Sequence, residues 1–104
     1  MARYSVELSP EARAHVEAIR EWWLVNRQTS PSLFLRELRA ALRQAQRSPH
    51  TGKLYEAAGV RPIRRILLPK TSYHIYYWPD EAALVVRVYA VWYGGRGEGP
   101  KLGR

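Results

Sequence analysis

The spacing of three strand-like runs in the second half of the chain constrains the fold most strongly. Apolar residues alternate or run continuously over residues 63–68, 73–78 and 84–92, and only residues 69–72 and 79–83 separate these runs. Both separating segments begin with proline and are short and largely polar, which is typical of turns. Because such short connections join neighbouring antiparallel strands, the pattern predicts a three-stranded antiparallel meander.

Two helices are predicted before the meander. Ser9-Pro10 and Ser30-Pro31 each place an N-capping residue directly before a proline, which is favoured at the first helical position. The apolar residues after each cap recur at steps of three and four, which indicates one buried face per helix. They are Ala12, Val16, Ile19 and Trp23 in the first helix, and Leu35, Leu38, Ala41, Leu42 and Ala45 in the second. Because few residues separate the helices, they should form an αα-hairpin.

The full pattern predicts an α+β fold with an N-terminal strand over residues 4–8, the αα-hairpin, and the meander, with the helices packed on one sheet face. The sequence does not decide which strand of the sheet the N-terminal strand pairs with. In the last strand, the predicted helix-facing side is Leu84, Val86, Val88, Ala90 and Trp92, and the predicted open side is Val85, Arg87, Tyr89, Val91 and Tyr93. Residues 1–104 are expected to form one domain, with a flexible Gly-rich tail over residues 94–104.

The composition excludes several kinds of functional site and indicates the charge of the partner. The chain has no cysteine, which excludes disulfides, thiol nucleophiles and cysteine-bound metals. Its three histidines fall in different predicted elements, so we expect no metal and no other cofactor. The 17 Lys and Arg against 9 Asp and Glu give a net charge of +8, which favours an acidic partner or nucleic acid. Because the first residues lack a signal-peptide apolar stretch, we expect a cytoplasmic protein without membrane contact.

Four arginines project from one sector of the second predicted helix, well away from its apolar side. They are Arg36, Arg39, Arg43 and Arg47. A charged row of this kind is most often a solvated helix face. Contact with a polyanion or with an acidic partner is the alternative.

Basic and aromatic residues are concentrated on or beside the predicted sheet: Arg61, Arg64, Arg65, Lys70, His74, Arg87, Tyr93 and Arg96. Cleavage of RNA without a metal needs cations to stabilise phosphate charge and a group such as His or Tyr to move a proton, so this set permits that reaction. The same residues could equally contact phosphates or dock an acidic protein. Because side chains alternate along a strand, only one of Arg64 and Arg65 can face the open side.

The chain has the order strand, αα-hairpin and meander, and the residues that carry a resemblance are 59–68, 73–77 and 88–93, followed by Arg96. In this order and spacing the chain resembles the RelE/ParE superfamily of type II toxin-antitoxin toxins. The resemblance extends to about residue 102. It implies a bacterial cytoplasmic toxin encoded beside an antitoxin that wraps the toxin and blocks it.

Members of this superfamily act in two ways. RelE-like members cut mRNA on the ribosome, whereas ParE-like members poison DNA gyrase. The nucleases usually read Tyr-Arg-x-x-Tyr in the third strand, where this chain has His74 in the arginine position, and they carry a second basic residue where this chain has Leu67. The two long predicted helices also resemble ParE. We therefore expect a gyrase inhibitor that is not an enzyme, with a ribosome-dependent mRNA endonuclease as the alternative.

Residue roles follow from this resemblance and from the predicted open face. The expected target-binding residues are Arg65, Arg87, Tyr93 and Arg96, and the expected antitoxin-binding residues are Tyr76, Trp78, Tyr89 and Val91. No residue is catalytic in a gyrase inhibitor. In a nuclease, Arg65, Arg87 and Arg96 would stabilise phosphate charge, and His74 or Tyr93 would move the proton.

Overall fold

The computed structural model describes residues 3–55, 61–95 and 100. The elements in chain order are β1 (Ser5–Leu8), α1 (Pro10–Asn26), α2 (Leu33–Arg47), β2 (Lys53–Leu54), β3 (Arg64–Leu68), β4 (Tyr73–Asp80) and β5 (Val85–Tyr93). This architecture confirms the predicted α+β fold with an αα-hairpin before an antiparallel meander. Within the described residues, neither helix is long and apolar enough to cross a membrane.

The five strands form one sheet in the order β1-β5-β4-β3-β2. β3, β4 and β5 are the predicted meander, and each pairs antiparallel with the next. β1, whose position the sequence left open, pairs parallel with β5 and places Leu8 beside Val88. The short β2 extends the other edge by pairing antiparallel with β3, in a segment expected to be irregular.

The two helices begin differently. α1 starts as predicted, because the Ser9 hydroxyl accepts a hydrogen bond from the Ala12 amide at 3.0 Å. The predicted cap of α2 is wrong, since this helix begins at Leu33 and Ser32 at its N-cap makes no side-chain capping bond. Ser30 instead belongs to a turn, in which its carbonyl accepts from the Leu33 amide at 3.3 Å.

The main core lies between the helices and one sheet face. Its buried residues are Ala12, Trp23, Phe34, Leu38, Ala45, Leu68, Tyr73, Ile75, Tyr77, Val86, Val88 and Val91. The predicted helix-facing positions Val86 and Val88 are confirmed. Leu84 is not part of this face, because it lies in the β4–β5 turn with a φ of 57° and is 40% exposed.

A bulge in β5 reverses part of the predicted face assignment. Tyr77 pairs with Val88 whereas Tyr76 pairs with Ala90, so Tyr89 is an extra residue. One extra residue shifts the alternation of all the side chains that follow. Val91 therefore enters the main core, where it is 2% exposed, and its predicted place on the open face is wrong.

The face opposite the helices, which we call the open face, carries a second apolar cluster. Ile63, Tyr76 and Ala90 are buried in it, and Tyr55, Trp78, Tyr89 and Trp92 pack around them. Ala90 and Trp92 thus lie on the side opposite to the one predicted. Because Tyr76 is only 3% exposed, its neighbours provide most of the accessible aromatic surface.

Arg64 and Tyr77 hold the loop between α2 and β2. The Tyr77 hydroxyl donates to the Pro49 carbonyl at 2.7 Å and accepts from the Gly52 amide at 3.1 Å. Arg64 Nη1 donates to the His50 and Gly52 carbonyls at 3.1 and 2.8 Å. Burial raises the pKa of Tyr77, so the hydroxyl keeps its proton at neutral pH. Arg64 is therefore engaged with this loop.

Candidate functional site

Arg65 and His74 lie on neighbouring strands of the open face. The Arg65 guanidinium stacks over the Tyr55 ring, 5.3 Å from its centroid. The Tyr76 ring packs edge-on against Tyr55 at 4.8 Å and against His74 at 6.1 Å. We call these four residues the Arg65 cluster. The cluster combines a cation, an imidazole and two aromatic rings.

The His74 imidazole is neutral at neutral pH. Burial lowers the pKa of His74 below its ordinary value of 6.5, and the charge of Arg65 lowers it further. The ring also fits closely against Gly94, where a Cβ atom would lie 3.1 Å from His74 Cε1. A neutral imidazole can accept a proton but adds no positive charge, so Arg65 is the cation of this cluster.

We expect the His74 ring to titrate below pH 6.5. Arg65→Gln should raise this midpoint only part of the way, because burial is the larger cause of the lowered pKa. NMR titration of the ring protons measures both midpoints, with Arg39→Gln on the exposed face of α2 as a control that should change nothing. A wild-type midpoint at or above 6.5, or an unchanged midpoint in the Arg65 variant, would contradict this assignment.

The same lowered pKa predicts a pH dependence of stability. Below pH 6.5 the unfolded chain binds a proton at His74 while the folded chain resists it. The free energy of unfolding should therefore fall as the pH decreases from about 6.5 through the lowered pKa, and His74→Gln should remove this contribution.

Arg87 is paired with two carboxylates on the open face. Its Nε donates to Asp80 Oδ2 at 2.9 Å and its Nη1 donates to Glu7 Oε1 at 2.9 Å, which connects three adjacent strands. The Arg87 hydrogen bond lowers the pKa of Asp80, and the Asp80 hydrogen bond raises the pKa of Arg87. Arg87 pairs with Trp78, which lies four residues from His74, or about 13 Å along an extended strand. The structure therefore does not bring Arg87 into the Arg65 cluster.

Tyr93, another predicted target-binding residue, lies outside the Arg65 cluster. Tyr93 is 46% exposed, and its ring packs edge-on against the core residue Tyr73 at 5.5 Å. Arg96 and most of the predicted tail lie outside the described residues. Of the remaining basic residues, Arg61 stacks over the Trp78 ring at 4.9 Å. Across the described ranges, no group of three or more His, Asp or Glu residues is placed to hold a metal.

A groove of about 700 Å³ lies between α1, the β3–β4 turn and the end of β5. Aromatic side chains dominate its walls, and two cations, Arg27 and Lys70, also line it. The aromatic residues are His15, Trp22, Trp23, Tyr73, Trp92 and Tyr93. Trp22 is 44% exposed, and Arg27 stacks over its ring at 5.0 Å.

Sequence reasoning missed Trp22 and Arg27. The adjacent Trp22 and Trp23 were a usable signal, because a helix with one buried face cannot bury both.

Hydrogen bonds hold the walls of this groove in place. Trp23 Nε1 donates to the Tyr73 hydroxyl at 3.3 Å, and the Val91 amide donates to His15 Nδ1 at 3.3 Å. The Glu37 carboxylate of α2 accepts from the Lys70 amide at 2.7 Å, and from the amide and hydroxyl of Thr71 at 3.1 and 2.7 Å. The groove is thus preformed, which lowers the entropy that a bound partner must lose.

Comparison with solved structures finds the same fold. The chain resembles a structure described as the chromosomal ParDE TA system from P. aeruginosa, with a TM-score of 0.68, 11% identity, and coverage of 88% of this chain and 96% of that one. It also resembles the intact E. coli RelBE toxin-antitoxin complex, with a TM-score of 0.60, 19% identity, and coverage of 89% and 99%. The isolated E. coli RelE toxin gives a TM-score of 0.59, 19% identity, and coverage of 91% and 88%.

Sequence comparison gives a family assignment. No curated protein sequence matches the chain significantly. Residues 6–97 match the family described as the ParE toxin of the type II toxin-antitoxin system parDE. This match covers most of the chain and agrees with the fold and with the resemblance read from the sequence. The chain therefore belongs to the ParE toxin family of type II toxin-antitoxin systems.

Proposed function

We propose that this toxin inhibits DNA gyrase by binding and not by catalysis. The supporting observation is the separation of the residues that a nuclease would need together. Among the described residues, His74 has Arg65 beside it, whereas Arg87 is held by Glu7 and Asp80 farther along the sheet. Tyr93 packs on Tyr73 of the main core, on the other side of the sheet. In this proposal Arg65, Tyr93 and Arg96 contact the target, and none of them is catalytic.

A cognate antitoxin is the proposed partner that neutralises the toxin. The groove beside α1 offers exposed aromatic surface next to Arg27 and Lys70, and the whole chain carries a charge of +8. These features fit an antitoxin segment with apolar anchors and acidic neighbours, because apolar burial supplies affinity and charge speeds encounter. On the open face, Trp78 and Tyr89 remain accessible enough to extend this contact.

A ribosome-dependent mRNA endonuclease is the second candidate. The neutral His74 beside Arg65 supports it, since this pair could move a proton next to a phosphate-binding cation. The aromatic rings under Arg61 and Arg65 could also stack on unpaired bases.

Expression of the toxin without its antitoxin in bacterial cells distinguishes the two candidates. We expect early loss of plasmid supercoiling and cleaved DNA trapped on gyrase, with mRNA intact. His74→Ala should change the toxicity only a few-fold, whereas loss of a proton-transfer group typically lowers a rate by about 10²- to 10⁴-fold. Codon-phased mRNA cuts that disappear in the His74 variant would reject gyrase inhibition in favour of the nuclease.

A further inference from the structure

We propose that the outer face of α2 binds the phosphate backbone of duplex DNA. This face carries Arg36, Arg39, Arg43 and Arg47, which we call the arginine ridge. Direct binding of DNA by this face does not depend on the identity of the toxin's target.

The arginine ridge is exposed to solvent. All four arginines are exposed, and in the described part of the chain none forms an ion pair within 4 Å. Arg47 donates a hydrogen bond to the neutral Gln44 side chain at 3.4 Å. Glu37 is the one acidic residue of α2, and its carboxylate is engaged by the β3–β4 turn. The positive charge of the ridge therefore faces solvent without a counter-charge from its own helix.

α1 shows what a solvated helix face looks like in the same protein. It carries three glutamates, Glu11, Glu17 and Glu21, beside Arg13 and Arg20. Arg20 pairs with Glu17 at 3.5 Å. Mixed signs of this kind are expected where charge serves only solubility. The single-sign ridge on α2 departs from that pattern.

The surroundings of the ridge favour phosphates over a protein partner. Among the described residues, no large exposed apolar residue lies on α2. The large exposed apolar residues are Trp22, Leu24, Val25, Leu54, Leu67, Leu84 and Tyr93. Protein interfaces need apolar or aromatic anchors at their centre. Single-stranded nucleic acid needs aromatic rings for stacking, and Phe34, the one aromatic residue of α2, is buried. Duplex phosphates need only cations, and guanidinium groups bind phosphate oxygens in pairs.

The ridge also has a suitable length and rigidity. Arg36 and Arg47 are 11 residues apart, which is about 16 Å along a helix. Duplex DNA carries one charge per ~1.7 Å of its axis, so several phosphates fall within that length. The inner face of α2 is packed in the main core, and Gln46 Nε2 donates to the Tyr4 carbonyl at 2.9 Å. The arginines therefore project from a fixed support.

Two double variants of equal charge test the proposal. Arg39→Gln with Arg43→Gln removes two ridge charges, and Arg13→Gln with Arg20→Gln removes two charges from α1. Binding of the purified full-length toxin to a labelled DNA duplex is measured by fluorescence anisotropy at several salt concentrations. The ridge variant should reduce the slope of log K against log salt by about 1.8 and weaken binding roughly 10- to 60-fold at 0.1 M salt. The α1 variant should change the slope by less than about 0.5.

Four outcomes would overturn the proposal. Equal losses of DNA affinity in the two variants would show an effect of net charge alone. If the wild type does not bind duplex DNA, the arginine ridge is not a DNA-binding site. Tighter binding to single-stranded RNA, or tighter binding to polyglutamate of matched charge, would assign the ridge to another partner. Circular dichroism verifies that both variants stay folded. Because gyrase is absent from the assay, its result is separate from a test of gyrase inhibition.

Discussion

Replacing Val88 by aspartate is expected to remove most of the protein's stability and to lower its melting temperature strongly. Val88 is 1% exposed, and it pairs with Leu8 of β1 and Tyr77 of β4 in the main core. A carboxylate at this position would be buried among apolar side chains, at a cost of several kcal/mol. Domains of this size are stable by about 5–15 kcal/mol, so most of the stability would be lost. Thermal denaturation followed by circular dichroism measures the effect.

Val25→Asp is the matched control for this substitution. Val25 is 69% exposed near the end of α1, so the same chemical change there should cost at most about 1 kcal/mol. If Val88→Asp melted at the wild-type temperature, or if the two variants were equally destabilised, the assignment of Val88 to the main core would be wrong.

The second large effect concerns the proposed antitoxin contact. Trp22→Ala should weaken binding of the cognate antitoxin by at least about 30-fold, because truncation of a central interface tryptophan typically costs 2 kcal/mol or more. Trp22 lines the groove, is 44% exposed and is not part of the main core, so the free toxin should stay folded with a moderate loss of stability. Isothermal titration calorimetry with the product of the adjacent gene measures the affinity.

Leu24→Ala provides the comparison for Trp22→Ala. Leu24 is 50% exposed on the same helix but does not line the groove, so its truncation should change the affinity less than about threefold. Equal losses in both variants, or an unchanged affinity in Trp22→Ala, would show that the antitoxin does not occupy this groove.

Short-range rules predicted much of the local structure, although the capping rule that succeeded for α1 failed for α2, which begins at Leu33. Short turns between residues 63 and 92 predicted the meander, and the Ser9 cap predicted the start of α1. Strand alternation predicted that only one of Arg64 and Arg65 faces the open side, and the structure places Arg65 there. The bulge at Tyr89 could not be foreseen, because an extra residue interrupts the pairing without interrupting the apolar pattern of β5.

The candidate surfaces were harder to predict because distant segments form them. Glu7 and Arg87 are 80 residues apart in the chain, so the neutralisation of Arg87 depends on the parallel pairing of β1 with β5. The groove likewise combines α1, the β3–β4 turn and the end of β5. Sequence patterns identified the residue types in these places, but the long-range pairing decides which of them meet.

Supercoiling of relaxed plasmid by purified DNA gyrase, with increasing amounts of the purified toxin, tests the proposed mode of action most directly. If the toxin inhibits gyrase by binding, wild-type toxin and His74→Ala inhibit supercoiling at similar concentrations and trap cleaved DNA on the enzyme. Prior equimolar addition of antitoxin should abolish both effects. Full gyrase activity at a saturating excess of folded toxin, together with cleavage of mRNA on purified ribosomes by the same sample, would contradict gyrase inhibition by binding.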